Sequence, residues 1–387
     1  MQVYPEDNPL GYPFIALHSS EKLEFHFDVM TTEMETYNFG ILHCDHAWKT
    51  DDIPPNEYIQ GFQTLSISEF DAGFSTMFDY VHYSFTYPAD MSKPRYSGNY
   101  AMVVFSGQDI HDKSSWLITY RFIIYENTVS VISRVTAPSV VSRRFTGQEV
   151  DFDIGYKGFS IYDPMKEINV SILQNMNWKT AKHDLKPIFI KQDVLTFDYS
   201  TGENVFDGGS EWRNYEVKDI RYVSSEVSAI MREPDGYHVH LRQDIPEGKK
   251  AYATWPDLNG NVLIRNDDAS DSDLESDYVW VHFQLAMPEI FESDVFVEGR
   301  FNSFQKTPDQ CVYNKTTGAY EATLLLKQGY YNYRYYTRDK FYANDDLSYT
   351  EGNYTATQND YHIIVYMYDR NLNCDRIIAV KADGSSK

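Results

Sequence analysis

Apolar and polar residues alternate with a period of two through much of the chain. Leu23, Phe25, Phe27 and Val29 alternate with Glu24, His26 and Asp28. Such a pattern gives a strand with one buried and one wetted face. Tyr37, Phe39 and Ile41 repeat it, as do Val150, Phe152, Ile154 and Tyr156, then Ile168, Val170 and Ile172, then Val279, Val281, Phe283 and Leu285. Trp116 to Tyr125 and Tyr361 to Tyr368 are denser apolar runs, suited to strands covered on both faces. Turn residues punctuate the pattern at Pro234-Asp235-Gly236, Asn259-Gly260 and Thr316-Thr317-Gly318. No long stretch has a helical period, and Asn56 to Phe62 has room for one or two helical turns. The expected class is all-β, built of tandem antiparallel β-sandwiches.

A chain of 387 residues allows two or three such units. One boundary is expected at Val135-Thr136-Ala137-Pro138-Ser139, where a strand-rich block meets a proline. A second is expected after Asp257 to Tyr278, which carries seven acids against Arg265 alone and reads as a solvated loop. The expected division is 1–136, 137–278 and 279–370, with a tail over 371–387.

Composition removes several function classes. Hydrophobic residues at 42% and aromatics at 16% exclude a disordered chain. A net charge of −23 repels phosphate backbones and anionic lipid, so no nucleic-acid role is expected. No apolar run approaches the ~18 residues of a membrane-spanning helix. The start, Met1 to Asn8, has neither a basic nor an apolar leader region, which fits a cytosolic chain or one whose signal peptide has been removed. Cys44, Cys311 and Cys374 have no CxxC spacing and allow at most one disulfide within a monomer.

The search for chemistry is mostly empty. There is no nucleophile elbow, zinc-protease helix motif, P-loop or dinucleotide fingerprint. His43-Cys44-Asp45-His46 has the residue types of a metal cluster, but on a strand it divides two and two between opposite faces. A metal needs three or four convergent ligands, so a strand end with hydrogen-bonded His and Asp is the preferred reading. His238 and His240 share one strand face and read as a solvent-facing pair. Asp257-Leu258-Asn259-Gly260-Asn261 resembles half a calcium loop, but Val262 and Asp268 stand where Gly and Glu are needed. Asn259-Gly260 fits a two-residue hairpin turn better. Gly208 to Arg213 reads as a turn held by a Glu211–Arg213 pair. No catalytic residue, metal or cofactor is assigned, and the protein is expected not to be an enzyme.

From Asp294 to Tyr336 the order of strands and turns resembles the early-set immunoglobulin-like modules of glycogen-binding and starch-acting proteins. Such modules stack an aromatic platform on sugar rings. Phe304 follows Phe301-Asn302-Ser303 where those modules carry Trp. Tyr331 and Tyr333 share a face and read first as cross-strand packing. Phe301, Phe304, Tyr331 and Tyr333 are the candidate binding residues for a partner. A glycan-binding envelope protein is the alternative function.

A second resemblance covers more of the chain, from about residue 40 to 355. It rests on Leu42-His43-Cys44-Asp45 with Trp48, Tyr58 to Phe62, His82-Tyr83, Ser97 to Tyr100 and Leu173-Gln174-Asn175. It continues through Phe206-Asp207-Gly208-Gly209 with Glu211 and Arg213, Asp257 to Gly260, Asp277 to Val279, Gly299 to Asn302, Leu326 to Tyr333, and Glu351-Gly352-Asn353-Tyr354. Together these segments resemble the plug protein family of the type IX secretion system. Trp212 stands where the family pattern has Phe, and Phe304 where it has Trp. The resemblance implies a periplasmic, non-enzymatic β-sandwich protein. It would dock on an outer-membrane translocon barrel subunit and occlude its pore when export is not engaged.

Overall fold

The computed structural model describes residues 1–304 and 310–385. Strands dominate it, and the helices are single turns such as Pro55–Tyr58, Pro164–Glu167 and Ser272–Glu275. The all-β expectation holds because period-two patterning, once one face is buried, fixes both the strand and its register.

The first body spans residues 2–125. One sheet orders Gln2–Pro5, Leu23–Val29, Val81–Tyr87 and Glu69–Ala72. The facing sheet orders Phe14–Ala16, Trp116–Tyr125, Gly98–Phe105, Asn38–Cys44 and Thr64–Ser66. The alternating Leu23, Phe25 and Phe27 point into the core between the sheets, against Phe39, Ile41, Tyr100, Met102 and Phe122. Phe25 and Phe85 stack with centroids 4.9 Å apart, and Phe39 and Phe85 at 4.1 Å. Aromatic pairs of this kind add about 0.5–1.5 kcal/mol beyond area burial.

The second body is a sandwich completed by distant parts of the chain. One sheet holds Ser130–Thr136, Gly147–Gly155, Val194–Phe197 and Phe189–Lys191, with Val205–Asp207 beside the second of these. The other orders Lys182–Leu185, Ile168–Gln174, Asp360–Asp369 and Cys374–Gly384. Ile168 to Gln174 runs antiparallel to Tyr361 to Met367, residue for residue. Tyr361, Ile363 and Val365 close the core over Val150, Phe152 and Ile154.

The third body is inserted between Asp207 and Asp360. Its ten-stranded sheet runs from Arg213–Glu216 through Gly329–Asp339, Ser293–Glu298, Gln310–Asn314, Ala319–Lys327, Tyr278–Ala286 and Gly236–Leu241 to Val227–Glu233. Val262–Ile264 and Asp345–Asp346 also pair with Gly329–Asp339. The core gathers Val279, Val281, Phe283, Val295, Tyr331 and Tyr335.

This pairing cuts across the expected boundaries. Ser130–Thr136, expected at the end of the first unit, pairs with Gly147–Gly155 in the second. Residues 213–278 belong to the third body, and 360–370 to the second. Within the expected tail, Cys374–Gly384 is a strand paired to Asp360–Asp369 along its length; residues 386 and 387 lie outside the described ones. A proline at 138 marks a loop between two strands of one sheet, and composition cannot distinguish that from a domain edge. The acidic stretch is also structured in part. Asp271 caps the Ser272–Glu275 turn, accepting from the Asp273 amide, and Val262–Ile264 is a strand.

Candidate functional site

Three seams hold the bodies together, and the strongest sequence motifs lie in them. The chain crosses from the second body to the third at Asp207–Arg213 and returns at Glu351–Asp360. The two crossings lie side by side. The Gly209 amide donates to Asn353 Oδ1 at 2.8 Å, and the Tyr354 amide donates to the Gly209 carbonyl at 2.8 Å. A Cβ on Gly208 would sit 2.0 Å from the Tyr354 carbonyl oxygen, so only glycine fits there. Gln148 ties the strands behind them: its amide donates to the Thr355 and Thr357 carbonyls at 2.8 and 2.7 Å. It also accepts from Tyr361 and Asn359.

Arg213 is the charged centre of this crossing. Its Nε donates to Glu351 at 2.9 Å, its Nη1 to Asp244 at 2.8 Å and its Nη2 to the Ile245 carbonyl at 3.0 Å. Tyr333 and Tyr335 both donate to the other Asp244 oxygen. Burial pushes the Glu351 and Asp244 carboxyls up, against the opposing pull of the guanidinium. The expected Glu211–Arg213 pair is absent. Glu211 instead accepts from the Tyr252 hydroxyl. The strand begins only at Arg213, so Glu211 does not share its face, and the two side chains turn to separate partners.

The first and second bodies meet through an apolar seam. Ile123, Leu173, Ile364, Tyr366 and Ile377 form it, with Trp48 and Trp178 at its edge. The two indoles meet edge to face at 4.8 Å, and the Arg121 guanidinium lies 4.8 Å from the Trp48 ring centre. The His43-to-His46 segment supports the preferred reading. His43 Nδ1 meets Asp51 at 2.5 Å and His46 Nδ1 meets Asp375 at 2.7 Å. The two histidines diverge, one into the first body and one across to the second.

The first and third bodies meet through a polar seam beside a cavity of about 250 Å³. Asp28 is its pivot. Its Oδ1 receives His82 Nδ1 at 2.6 Å, and its Oδ2 receives Lys327 Nζ at 2.6 Å and the Tyr278 hydroxyl at 2.7 Å. Burial pushes the Asp28 carboxyl up, but the bonds from His82 and Lys327 outweigh it and hold the acid below its usual range. Lys327 also donates to the Asp273 carbonyl at 2.6 Å and lies 4.3 Å from the Tyr80 ring centre. His26, His82 and Asp273 line the cavity with Tyr4, Tyr120 and Arg300.

The four candidate partner-binding residues lie inward. Tyr331 and Tyr333 are 2% and 3% exposed, and Phe304 is 7% exposed. Phe301 packs against the same core. The Tyr331 ring stacks on Tyr215 at 5.1 Å. The buried rings leave the glycan reading without an exposed aromatic platform, while Phe301 and Tyr331 also line the cavity between the first and third bodies. Phe304 faces Trp212 at 6.1 Å. The two positions at which the sequence resemblance leads one to expect the other ring are thus neighbours.

Asn259 and Gly260 adopt φ of +51° and +83°, and the Asn261 amide donates to the Leu258 carbonyl at 3.0 Å. The expected turn is present, but it leads into Val262–Ile264 rather than closing a hairpin. Asp257 accepts from the Trp212 and Asn259 amides. His238 and His240 are joined by His282, with ring centres 5.1 and 4.2 Å away. The third histidine comes from a parallel neighbour that short-range spacing cannot reveal.

Large apolar side chains are exposed elsewhere. Phe291, Phe341 and Tyr342 are 76%, 80% and 78% exposed. They sit on adjacent loops of the third body, where Lys340 Nζ donates to the Phe291 carbonyl at 3.0 Å. No helix among the described residues is long and apolar enough to cross a membrane.

The architecture defines a tandem β-sandwich protein of three interlocked bodies. Residues 1–126 match the family described as type 9 secretion system plug protein, first domain, and the first body belongs to that family. The match ends at residue 126, where the first body ends. A protein from Parabacteroides merdae ATCC 43184, described as hypothetical, has a crystal structure that superposes on the chain with a TM-score of 0.93 at 30% identity. The alignment covers 99% of this chain and 96% of that one. A structure described as manganese lipoxygenase of Gaeumannomyces graminis with partial zonadhesin of Komagataella pastoris aligns over 99% of this chain and 96% of that one. Its 7% identity and TM-score of 0.12 carry no argument. No curated protein matches the chain. The family is one of secretion-system plug domains, not of enzymes.

Proposed function

We propose that this protein is the periplasmic plug of a type IX secretion translocon. It docks on the outer-membrane barrel subunit and occludes its pore while no cargo is engaged. The observation that carries this reading is the family match over residues 1–126. The three seams support it mechanically, because a body that seals a wide pore must not hinge open under load. A compact chain of this length has a radius of gyration of roughly 21 Å, or about 55 Å across as a sphere. A reversible seal needs an interface on the order of 1,600 Å² in total, without extreme affinity. Exposed aromatics at Phe291, Phe341 and Tyr342 are the kind of residue that anchors such interfaces.

Crosslinking of the mature protein in native envelopes, read by mass spectrometry, tests the reading. Recovery of a very large outer-membrane barrel subunit, with crosslinks clustered on one face, is the expected result. Recovery of no barrel, together with unchanged envelope permeability on deletion, overturns it.

A further inference from the structure

Three metal-ligating atoms converge at the cavity between the first and third bodies. His26 Nδ1 lies 3.2 Å from His82 Nε2. Asp273 Oδ2 lies 3.7 Å from the first and 3.9 Å from the second. The two histidines face each other across paired strands, where Asp28 is opposite His82 and His26 opposite Ser84. Asp273 comes from the third body, in the Ser272–Glu275 turn.

The outer nitrogen of each ring meets a carboxylate. Asp28 Oδ1 holds His82 Nδ1 at 2.6 Å, and Glu24 Oε2 lies 3.4 Å from His26 Nε2. A proton held on each outer nitrogen leaves the inner nitrogen with its lone pair directed at the other ring. In that tautomer both inner nitrogens and the Asp273 carboxylate oxygen present lone pairs to one point; in the other, one ring's proton bridges the two nitrogens, and a metal would displace it. Carboxylates behind metal-bound imidazoles are a recurrent arrangement, because they fix the tautomer and the ring orientation. His26 is further oriented by stacking on Tyr4 at 5.3 Å. The Asp273 backbone is fixed too, since its carbonyl accepts from Tyr80 and Lys327.

We propose that His26, His82 and Asp273 form a zinc site that joins the first body to the third. Ligands bound at about 2.0–2.1 Å in a tetrahedron lie roughly 3.3 Å apart. The three separations here, 3.2, 3.7 and 3.9 Å, all lie within an ångström of that, so small side-chain rotations close the set. All three residues line the cavity, which leaves the fourth position open to water or to a small ligand. Three carboxylates, Asp28, Glu24 and Asp273, stand at the cavity with Lys327, whose ammonium is tied to Asp28, and with Arg300 and the Met1 ammonium in the lining. The ligand set of two imidazoles and one carboxylate suits zinc. By contrast, Glu233, Asp235 and His238 offer one imidazole and two exposed carboxylates.

The test uses the untagged full-length protein, stripped with chelator and titrated with zinc chloride against a competing indicator. One zinc per chain is expected, with cobalt(II) giving the intense visible bands of a four-coordinate ion. Asp273→Asn keeps the backbone contacts of the turn and should weaken zinc binding by roughly 100-fold. Glu24→Gln should weaken it by about 10-fold to 100-fold through His26. His238→Gln should leave affinity unchanged. Circular dichroism of each variant reads folding separately from binding. Absence of stoichiometric zinc, or zinc binding that survives Asp273→Asn and is lost in His238→Gln, overturns the site.

Discussion

The Asp28 carboxylate and the Lys327 ammonium meet at 2.6 Å with side chains 7% and 6% exposed. One residue stands on the first body and the other on the third. They lie 299 positions apart in sequence, so no local pattern announces the pair. Removing one member of a buried ion pair strands the other without water. Lys327→Met is therefore expected to destabilise the protein by about 3–5 kcal/mol. Asp28→Asn in the same background should recover part of that loss. Urea unfolding of the two single variants and the double variant measures both quantities.

The contact between Trp212 and Phe304 predicts a rescue. Trp212→Phe leaves space beneath the Arg334 guanidinium, which lies 4.2 Å from the indole centre. Phe304→Trp overfills a residue that is 7% exposed. Each change alone should cost about 1–3 kcal/mol. The double variant restores the two ring types in exchanged positions and should be more stable than the sum of the singles by about 0.5–3 kcal/mol. A double-mutant cycle in denaturant reads the coupling.

Gly260 combines φ of +83° with an indole 2.8 Å from where a Cβ would stand. Gly260→Ala should destabilise by roughly 1–3 kcal/mol, through backbone strain and the clash with Trp212 together. Gly318 also has positive φ, at +68°, but nothing lies within 4 Å of its Cβ position. Gly318→Ala should therefore cost less. Thermal melts of the two variants side by side separate strain from crowding.

His362 gives the stability a defined pH dependence. It is 4% exposed, with the Tyr12 ring edge-on at 4.5 Å. Burial pushes its imidazolium pKa down to about 4, against the pull of Asp360. Between about pH 6.5 and pH 4 the unfolded chain binds the proton and the folded one does not, so stability falls as pH falls. The loss is on the order of 3 kcal/mol across that window. Asp257 works in the other sense: burial raises its pKa to about 6, so its contribution is present at low pH and lost as pH rises through 6. His362→Leu should flatten the fall between pH 6.5 and pH 4, and Asp257→Asn should steepen it. Denaturation of the three proteins at pH 7 and pH 4.5 checks the signs.

Buried thiols give a simple chemical expectation. Burial pushes both the Cys44 and Cys374 thiols up to about 12. Neither should react with a bulky thiol reagent in the native state, and both should react on unfolding. Mass spectrometry of labelled peptides distinguishes the two states.

The strands were legible because a period of two is a local signal. Leu23 to Val29 and Val279 to Leu285 could be read residue by residue, and each buries the face that the alternation marks. The Asn259-Gly260 turn was legible for the same reason, since two successive positive φ values demand those residue types. Domain membership was not legible. Tyr361 to Tyr368 reads as a buried strand wherever it is placed, and nothing local says that its partner is Ile168 to Gln174. The charged contacts were hidden in the same way. Arg213 was visible beside Glu211, but its actual partners are Glu351 and Asp244, 138 and 31 positions away. The aromatic ladder at Tyr331 and Tyr333 showed which residues share a face, but not whether that face is wet.

The second body has a consequence for biogenesis. Its last two strands, Asp360–Asp369 and Cys374–Gly384, leave the ribosome after the whole of the third body has been made. Until then Ile168–Gln174 has an unsatisfied edge, and the apolar residues behind it have no cover. A nascent chain stopped at residue 350 would hold two bodies able to close and one held open between them. Closure of the second body thus waits for the about 25 residues of Asp360–Gly384, and removing them takes away its keystone rather than an appendage.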